Sequence, residues 1–201
     1  QGNVASGANS TVAGGGNIYN AISSEGEVFR VRGNTASGAS SSIGGGYDNR
    51  ASGEVSVVSG GARNTSSALS TTVGGGFGNS ATERRATVGG GDGNTASGRG
   101  ATIAGGYSNV ASGRGATIAG GGNWAAQRDD DRLSGGSDFG NKALADYASI
   151  GGGVANEISG DGYSATIAGG RFNKATGSIS VIGGGVANNI SGTESVISGG
   201  R

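Results

Sequence analysis

Three arginines recur in this chain at identical spacing, and side chains of this type bind anionic groups. Arg84, Arg99 and Arg114 are fifteen residues apart, and Asp129 follows at the same interval. Guanidinium groups form charge-assisted hydrogen bonds with sulfate, phosphate and carboxylate oxygens. Stacked in a column, the arginines could bind a polyanion such as a sulfated glycan or lipopolysaccharide. The preferred interpretation is a structural ion-pair ladder, in which Arg114 meets Asp129 and neighbouring subunits supply further acids.

Aromatic side chains form a second series of candidate binding residues. Tyr47, Phe77 and Tyr107 are thirty residues apart, and Trp124 is the single tryptophan. Exposed aromatic rings could stack on sugars, whereas rings at a subunit seam would be packing residues. The seam is the preferred interpretation for the three-residue series. Trp124 stands where other repeats have asparagine, either as a binding anchor or as a residue that fills an irregular coil.

Few residues are available for catalysis or for binding metal ions. The chain has no histidine and no cysteine, so we expect no enzyme and no cofactor. Carboxylates remain, which leaves a glycan-cleaving fibre as a minor alternative. Asp129, Asp131 and Asp138 could bind a hard cation such as Ca²⁺. They match no EF-hand or nonapeptide calcium pattern, and a solvated acidic loop is preferred.

A short repeat positions all of these residues. Twelve of thirteen repeats have an aliphatic anchor, one small residue and two glycines, and the exception is Val28, where Arg30 and Val31 replace the glycines. Most anchors are fifteen residues apart. A fixed period of this length predicts a solenoid rather than a globule. The thirteen anchors are Val12, Val28, Ile43, Val58, Val73, Val88, Ile103, Ile118, Leu133, Ile150, Ile167, Ile182 and Ile197. We number positions within a coil from the anchor, which is position zero.

The repeat predicts two short strands and a tight corner in every coil. Positions two and three, such as Gly105 and Gly106, are expected to form the corner, because glycine permits positive φ and close backbone approach. Position six is asparagine in nine coils, including Asn94 and Asn109, and a column of asparagines can hydrogen-bond along its length. The glycine density excludes helix. The expected fold is all-β: a parallel β-roll or β-solenoid of about thirteen 15-residue coils in one domain, 1–201, with irregular coils in 12–33 and 118–167.

The composition suggests how the chain assembles. Each coil supplies one valine or isoleucine and one or two alanines, worth about 2–4 kcal/mol of gross burial against fifteen ordered residues. Three chains sharing a core would improve this balance, so we expect a homotrimer. The chain begins and ends within a coil, which suggests a segment of a longer protein.

Charge and hydropathy limit the classes of partner. The formal net charge is zero and no basic run exceeds two residues, so nucleic acid is not an expected partner. No apolar run is long enough for membrane insertion. The absence of cysteine excludes disulfides and is compatible with an extracellular location. A threonine column at Thr72, Thr87, Thr102 and Thr117 resembles the flat arrays of ice-binding solenoids, but the flanking position is alanine or glycine.

The segment from Ala101 to Gly113, A-T-I-A-G-G-Y-S-N-V-A-S-G, resembles the head repeat of YadA-like trimeric autotransporter adhesins. It is also similar to glycine-rich N-T-A-S-G-x-x-A-T-V-G-G-G arrays in bacterial and phage fibre-like proteins. The resemblance covers nearly the whole chain. It implies a left-handed parallel β-roll that is trimeric and displayed outside the cell.

These observations predict an extracellular or cell-surface protein, or part of a phage fibre. The expected function is a structural or adhesive fibre segment that displays a repetitive surface, with a host or environmental glycan as ligand. The alternative from a different class is a self-assembling filament or sheath subunit whose ligand is itself. An ice-binding solenoid and a glycan-cleaving fibre are weaker alternatives.

Overall fold

The chain folds into a parallel β-solenoid, as the repeat predicts. The computed structural model describes residues 2–16, 20–22, 28–30, 33–122 and 139–201, and none of them is helical. Each coil contributes one two-residue strand to each of two parallel sheets, and each sheet has eleven strands. The all-β solenoid architecture is therefore confirmed.

The strands follow one another along the chain and alternate between the two sheets. The first sheet contains β1 Val4–Ala5, β5 Thr35–Ala36, β7 Arg50–Ala51, β9 Thr65–Ser66, β11 Ser80–Ala81, β13 Thr95–Ala96, β15 Val110–Ala111, β17 Lys142–Ala143, β19 Glu157–Ile158, β21 Lys174–Ala175 and β23 Asn189–Ile190. The second contains β2 Thr11–Val12, β6 Ser42–Ile43, β8 Val57–Val58, β10 Thr72–Val73, β12 Thr87–Val88, β14 Thr102–Ile103, β16 Thr117–Ile118, β18 Ser149–Ile150, β20 Thr166–Ile167, β22 Val181–Ile182 and β24 Val196–Ile197. A separate antiparallel pair joins β3 Asn20–Ile22 to β4 Val28–Arg30.

Alternation along each strand separates the core from the surface. In β14 the anchor Ile103 is fully buried, and its parallel partner is Ile118. Thr102, one residue earlier, is only half-buried because successive side chains point to opposite faces of a sheet. Ala96 and Ala101 complete the same core layer with no exposed surface. Eleven coils at a strand spacing of about 4.8 Å make a stack roughly 50 Å long.

The asparagine column forms the predicted hydrogen-bond ladder. The Asn109 side-chain nitrogen donates to the Gly105 carbonyl of its own coil and to the Gly121 carbonyl of the next, each at 3.0 Å. It also lies 3.1 Å from the side-chain oxygen of Asn94. The Asn109 side-chain oxygen accepts from the backbone N–H of Asn141 at 2.8 Å. The ladder thus satisfies buried backbone groups at the corner of every coil.

The two glycines of the corner differ in what they require. Gly106 has φ of +95°, and a Cβ there would lie 2.6 Å from the Asn109 side-chain nitrogen and 2.9 Å from the Gly121 nitrogen. A Cβ at Gly105 would meet no atom within 4 Å, and its φ lies outside the positive range. In this coil only position three is crowded and left-handed, so the expectation that both glycines are needed for sterics is corrected for Gly105. In other coils position two has a positive φ, as at Gly75 with +149° and Gly152 with +151°, although no Cβ clash arises there.

The described residues form eleven stacked coils rather than the thirteen expected. Val28, expected as an anchor, pairs antiparallel with Ile22, and Val12 pairs directly with Ile43. Ile118 likewise pairs directly with Ile150, while Leu133 lies outside the described residues. Both departures fall inside the ranges expected to be irregular. The coil from Ile150 to Ile167 keeps both strands and carries two additional residues near 161–163.

One chain encloses its own core. The anchors of the central coils, such as Val88 and Ile103, have no exposed surface in the single chain. A shared core is therefore not required to bury them. The expected homotrimer stays a prediction, and it depends on the outer surface rather than on the core.

Candidate functional site

The three predicted arginines form a row along one edge of the solenoid. They lie at position eleven, in the turn that joins the first sheet to the second. The N–H of Gly100 donates to the Arg84 carbonyl, and the N–H of Gly115 donates to the Arg99 carbonyl, both at 2.9 Å. These bonds fix the backbone of successive coils in register. All three side chains are exposed, and we call this line of residues the arginine edge.

The residue that follows Arg114 in this column is Asp146, not Asp129. The Tyr147 N–H donates to the Arg114 carbonyl at 2.8 Å, and an Asp146 carboxylate oxygen accepts from the Arg114 N–H at 2.7 Å. The expected position of Asp129 was wrong because the stack passes directly from Ile118 to Ile150. Asp129 itself lies outside the described residues.

The one ion pair in the described part of the chain joins Lys174 and Glu157 at 3.0 Å, on the outer face of the first sheet. The expected arginine ladder, which includes Asp129 and acids of neighbouring subunits, stays a prediction. The Ser159 hydroxyl and the Lys174 ammonium hold the pKa of the Glu157 carboxyl below its ordinary value. The Arg114 guanidinium lies beside the aromatic ring of Tyr147.

Two tyrosines extend the arginine edge beyond Arg114. The Arg114 guanidinium lies 6.0 Å from the centroid of the Tyr147 ring, and the Tyr147 and Tyr163 rings meet edge to face at 5.5 Å. Tyr163 is half exposed and borders a shallow groove that Asp146, Asp161 and Ser178 also line. The sequence interpretation did not include these tyrosines as binding residues, although Tyr147 directly follows Asp146, the residue that continues the arginine column.

The aromatic series lies on the opposite edge, at position four. Tyr47, Ala62, Phe77, Asp92 and Tyr107 are joined in order by single parallel bridges. Tyr47 and Phe77 are 39% and 42% exposed, and Tyr107 is half-buried. This confirms a column with an aromatic ring on every second coil, which we call the aromatic edge. Its exposure leaves the rings available for a partner subunit or a ligand.

Arginines also contact aromatic rings along this side of the solenoid. The Arg63 guanidinium lies 5.3 Å from the centroid of the Phe77 ring. Further along the stack, Arg171 lies 5.6 Å from the Phe172 ring, which meets Phe139 edge to face at 6.5 Å. Phe139 is buried, so this second cluster is a packing contact.

The asparagine ladder continues from Asn109 to Asn141. The Asn141 N–H donates to the Asn109 side-chain oxygen, so Asn141 occupies the position that fifteen-residue counting assigned to Trp124. Trp124 lies outside the described residues, as do the calcium candidates Asp131 and Asp138. No group of three acidic residues that could hold a metal ion occurs in the ranges that the structure describes.

The threonine column forms on the outer face of the second sheet. Thr72 pairs with Thr87, Thr102 with Thr87, and Thr117 with Thr102, in direct register. The column continues through Ser149 and Thr166. It is flanked by small residues, as the sequence indicates.

The fold and its edges define a parallel β-solenoid repeat protein whose varied side chains lie outside the stack. Neither protein-family models nor curated protein sequences give a match for this chain. The described residues include no helix that could cross a membrane.

Proposed function

We propose that this chain is a structural or adhesive fibre segment that acts outside the cell and displays a repetitive surface for binding. The observation that supports this proposal best is that different positions of each coil serve stacking and surface display. Positions zero, six and eight are buried in coil stacking, as Ile103, Asn109 and Ala111 illustrate, and a Cβ at position three would collide with the next coil, as at Gly106. Chemically distinctive side chains instead lie in exposed columns at the edges, where they repeat once per coil or once every second coil.

Such an arrangement suits multivalent binding to an extended surface. Identical groups repeated at a fixed spacing can engage a polymer or a glycan layer at several points, so that weak contacts add up to strong retention. The resemblance to adhesin head repeats supports display outside the cell. It also supports a homotrimer, for which we assign the aromatic edge as the seam between subunits.

The proposal predicts a defined homotrimer that binds glycans. Light scattering of the purified chain should give three times the chain mass, and a glycan array should detect retention. Replacing Tyr47, Phe77 and Tyr107 together by serine should lower the mass to that of one chain, because buried aromatic rings dominate interface energetics.

The matched control removes exposed apolar side chains elsewhere. Val55, Leu144 and Ile179 are each exposed, and none belongs to the aromatic edge. Their replacement by serine should leave the trimer intact. A wild-type chain that grows into long rods by stacking end to end, without binding glycans, would contradict the adhesive proposal and support the filament.

A further inference from the structure

Exposed arginines cluster along the arginine edge and in the turn beside it. Arg84, Arg85, Arg99 and Arg114 place four guanidinium groups on three successive coils. Glu83 is the one carboxylate on the turns that carry these arginines, and Glu54, Asp146 and Asp161 flank them along the same edge. Asp146 already accepts a hydrogen bond from the Arg114 backbone. The excess of positive charge is therefore confined to the three coils that carry the arginines.

We propose that the arginine edge binds a linear, negatively charged polysaccharide laid along the solenoid axis. This inference rests on the proposed adhesive function and names the ligand class. A guanidinium group binds sulfate or carboxylate oxygens through two parallel hydrogen bonds, which a lysine ammonium cannot do. A row of arginines therefore favours a polymer that carries such groups at regular intervals.

The spacing of the row suits a sugar chain. Adjacent coils lie about 4.8 Å apart, which is close to the length of one pyranose residue in an extended polysaccharide. Consecutive arginines can thus meet charges on consecutive sugars. The backbone bonds from Gly100 to Arg84 and from Gly115 to Arg99 hold the coils in this spacing before a ligand arrives. Binding then costs less ordering than it would on a flexible basic tail.

The tyrosines give the site a direction. Beyond Arg114 the edge continues through Tyr147 to Tyr163, and the groove beside Tyr163 is lined by Asp161 and Ser178. An exposed aromatic ring can stack on a sugar ring, and carboxylate and hydroxyl groups can bond to sugar hydroxyls. The arginine portion holds the charged groups, and the tyrosine portion holds an uncharged sugar face.

Heparin and duplex DNA are suitable probes. Two variants are compared, each of which loses three positive charges from a different surface. The test variant carries Arg84→Gln, Arg99→Gln and Arg114→Gln. The control variant carries Arg50→Gln, Lys142→Gln and Lys174→Gln, which remove the same number of charges from the outer face of the first sheet, away from both edges. Thermal unfolding of both variants checks that each is folded.

The wild-type chain should bind heparin, and its affinity should fall as salt rises because charged contacts are screened. The test variant should lose about tenfold or more in affinity, whereas the control should lose about twofold at most. Tyr163→Ser should weaken heparin binding severalfold without changing its salt dependence, because a stacking contact carries no charge.

Three results would overturn the proposal. The first is a folded wild-type chain that does not bind heparin at low salt. The second is an equal loss in the test and control variants, which would indicate general charge attraction. The third is duplex DNA binding as tightly as heparin at the same salt. If heparin fails but neutral glycans are retained, the adhesive function stands and this ligand class is wrong. Failure of all glycans would reject both.

Discussion

Replacing either of two adjacent corner glycines by alanine tests whether steric crowding, rather than the repeat pattern alone, explains why each position is glycine. Gly105→Ala and Gly106→Ala make the same chemical change at neighbouring residues of the same repeat. Only Gly106 has a left-handed backbone, with φ of +95°, and only there would the new Cβ be crowded. The added carbon would lie 2.6 Å from the Asn109 side-chain nitrogen, and the Gly121 carbonyl oxygen would be closer still.

The expected loss of folding stability in Gly106→Ala has two sources. Holding alanine in the left-handed region costs about 1–2 kcal/mol. Relieving the contact moves Asn109 or separates two coils, which weakens hydrogen bonds to Gly105, Gly121 and Asn94, each worth about 1 kcal/mol. Gly106→Ala should therefore lower the free energy of unfolding by about 3 kcal/mol or more, whereas Gly105→Ala should change it by less than about 1 kcal/mol.

Urea unfolding followed by circular dichroism measures both variants under the same conditions. The midpoint should fall clearly for Gly106→Ala and stay near the wild-type value for Gly105→Ala. Equal losses of stability would refute the steric argument, because only one of the two sites is crowded and left-handed. Such a result would mean that position two requires glycine for a reason other than the space around its Cβ.

Three further changes test the polar core and the surface ion pair. Asn109→Ala should cost about 3 kcal/mol in urea unfolding, because the buried Asn141 N–H, 2.8 Å from the lost oxygen, would have no acceptor. Ser56→Ala should raise the unfolding free energy by about 1 kcal/mol, since its buried hydroxyl has no hydrogen-bond partner among the described residues. Ser180→Ala should not raise it, because that hydroxyl donates to the Gly177 carbonyl at 2.6 Å. Folding lowers the pKa of Glu157, so its ion pair with Lys174 stabilises the protein above the ordinary pKa of 4.5, and this stabilisation is lost as the pH falls through the lowered value. The free energy of unfolding at pH about 7 should therefore include a contribution of under about 1 kcal/mol that is reduced at pH about 3, and Glu157→Gln should abolish it.

The regular coils could be predicted from the sequence because every level of the pattern agrees. The anchors, the corner glycines and the asparagine column recur together, and each is explained by one physical requirement of stacking. Asn94 and Asn109 form the expected ladder for this reason. The surface assignments were less predictable, since an edge residue such as Tyr163 satisfies no repeated constraint.

The two errors in coil number share a signal that counting anchors overlooks. The coils that begin at Val12 and Ile118 have no asparagine at position six. Asn34 and Asn141 continue the ladder instead, with backbone nitrogens 2.9 Å and 2.8 Å from the preceding asparagine oxygens. An aliphatic anchor can be satisfied in many surroundings, whereas the asparagine must reach specific carbonyls. The ladder residue, rather than the anchor, therefore marks where a coil belongs to the stack.

The two long insertions leave both edges intact. The chain departs from the regular repeat after Gly16 and after Gly122, both at the glycine corner on the side of the aromatic edge. The Asn34 and Asn141 ladder positions mark its return. Both departures lie outside the five coils of the aromatic edge and outside the three turns that carry the arginines. A subunit partner at the aromatic edge and a linear ligand along the arginine edge can therefore each contact an uninterrupted series of coils, as an additive multivalent contact requires.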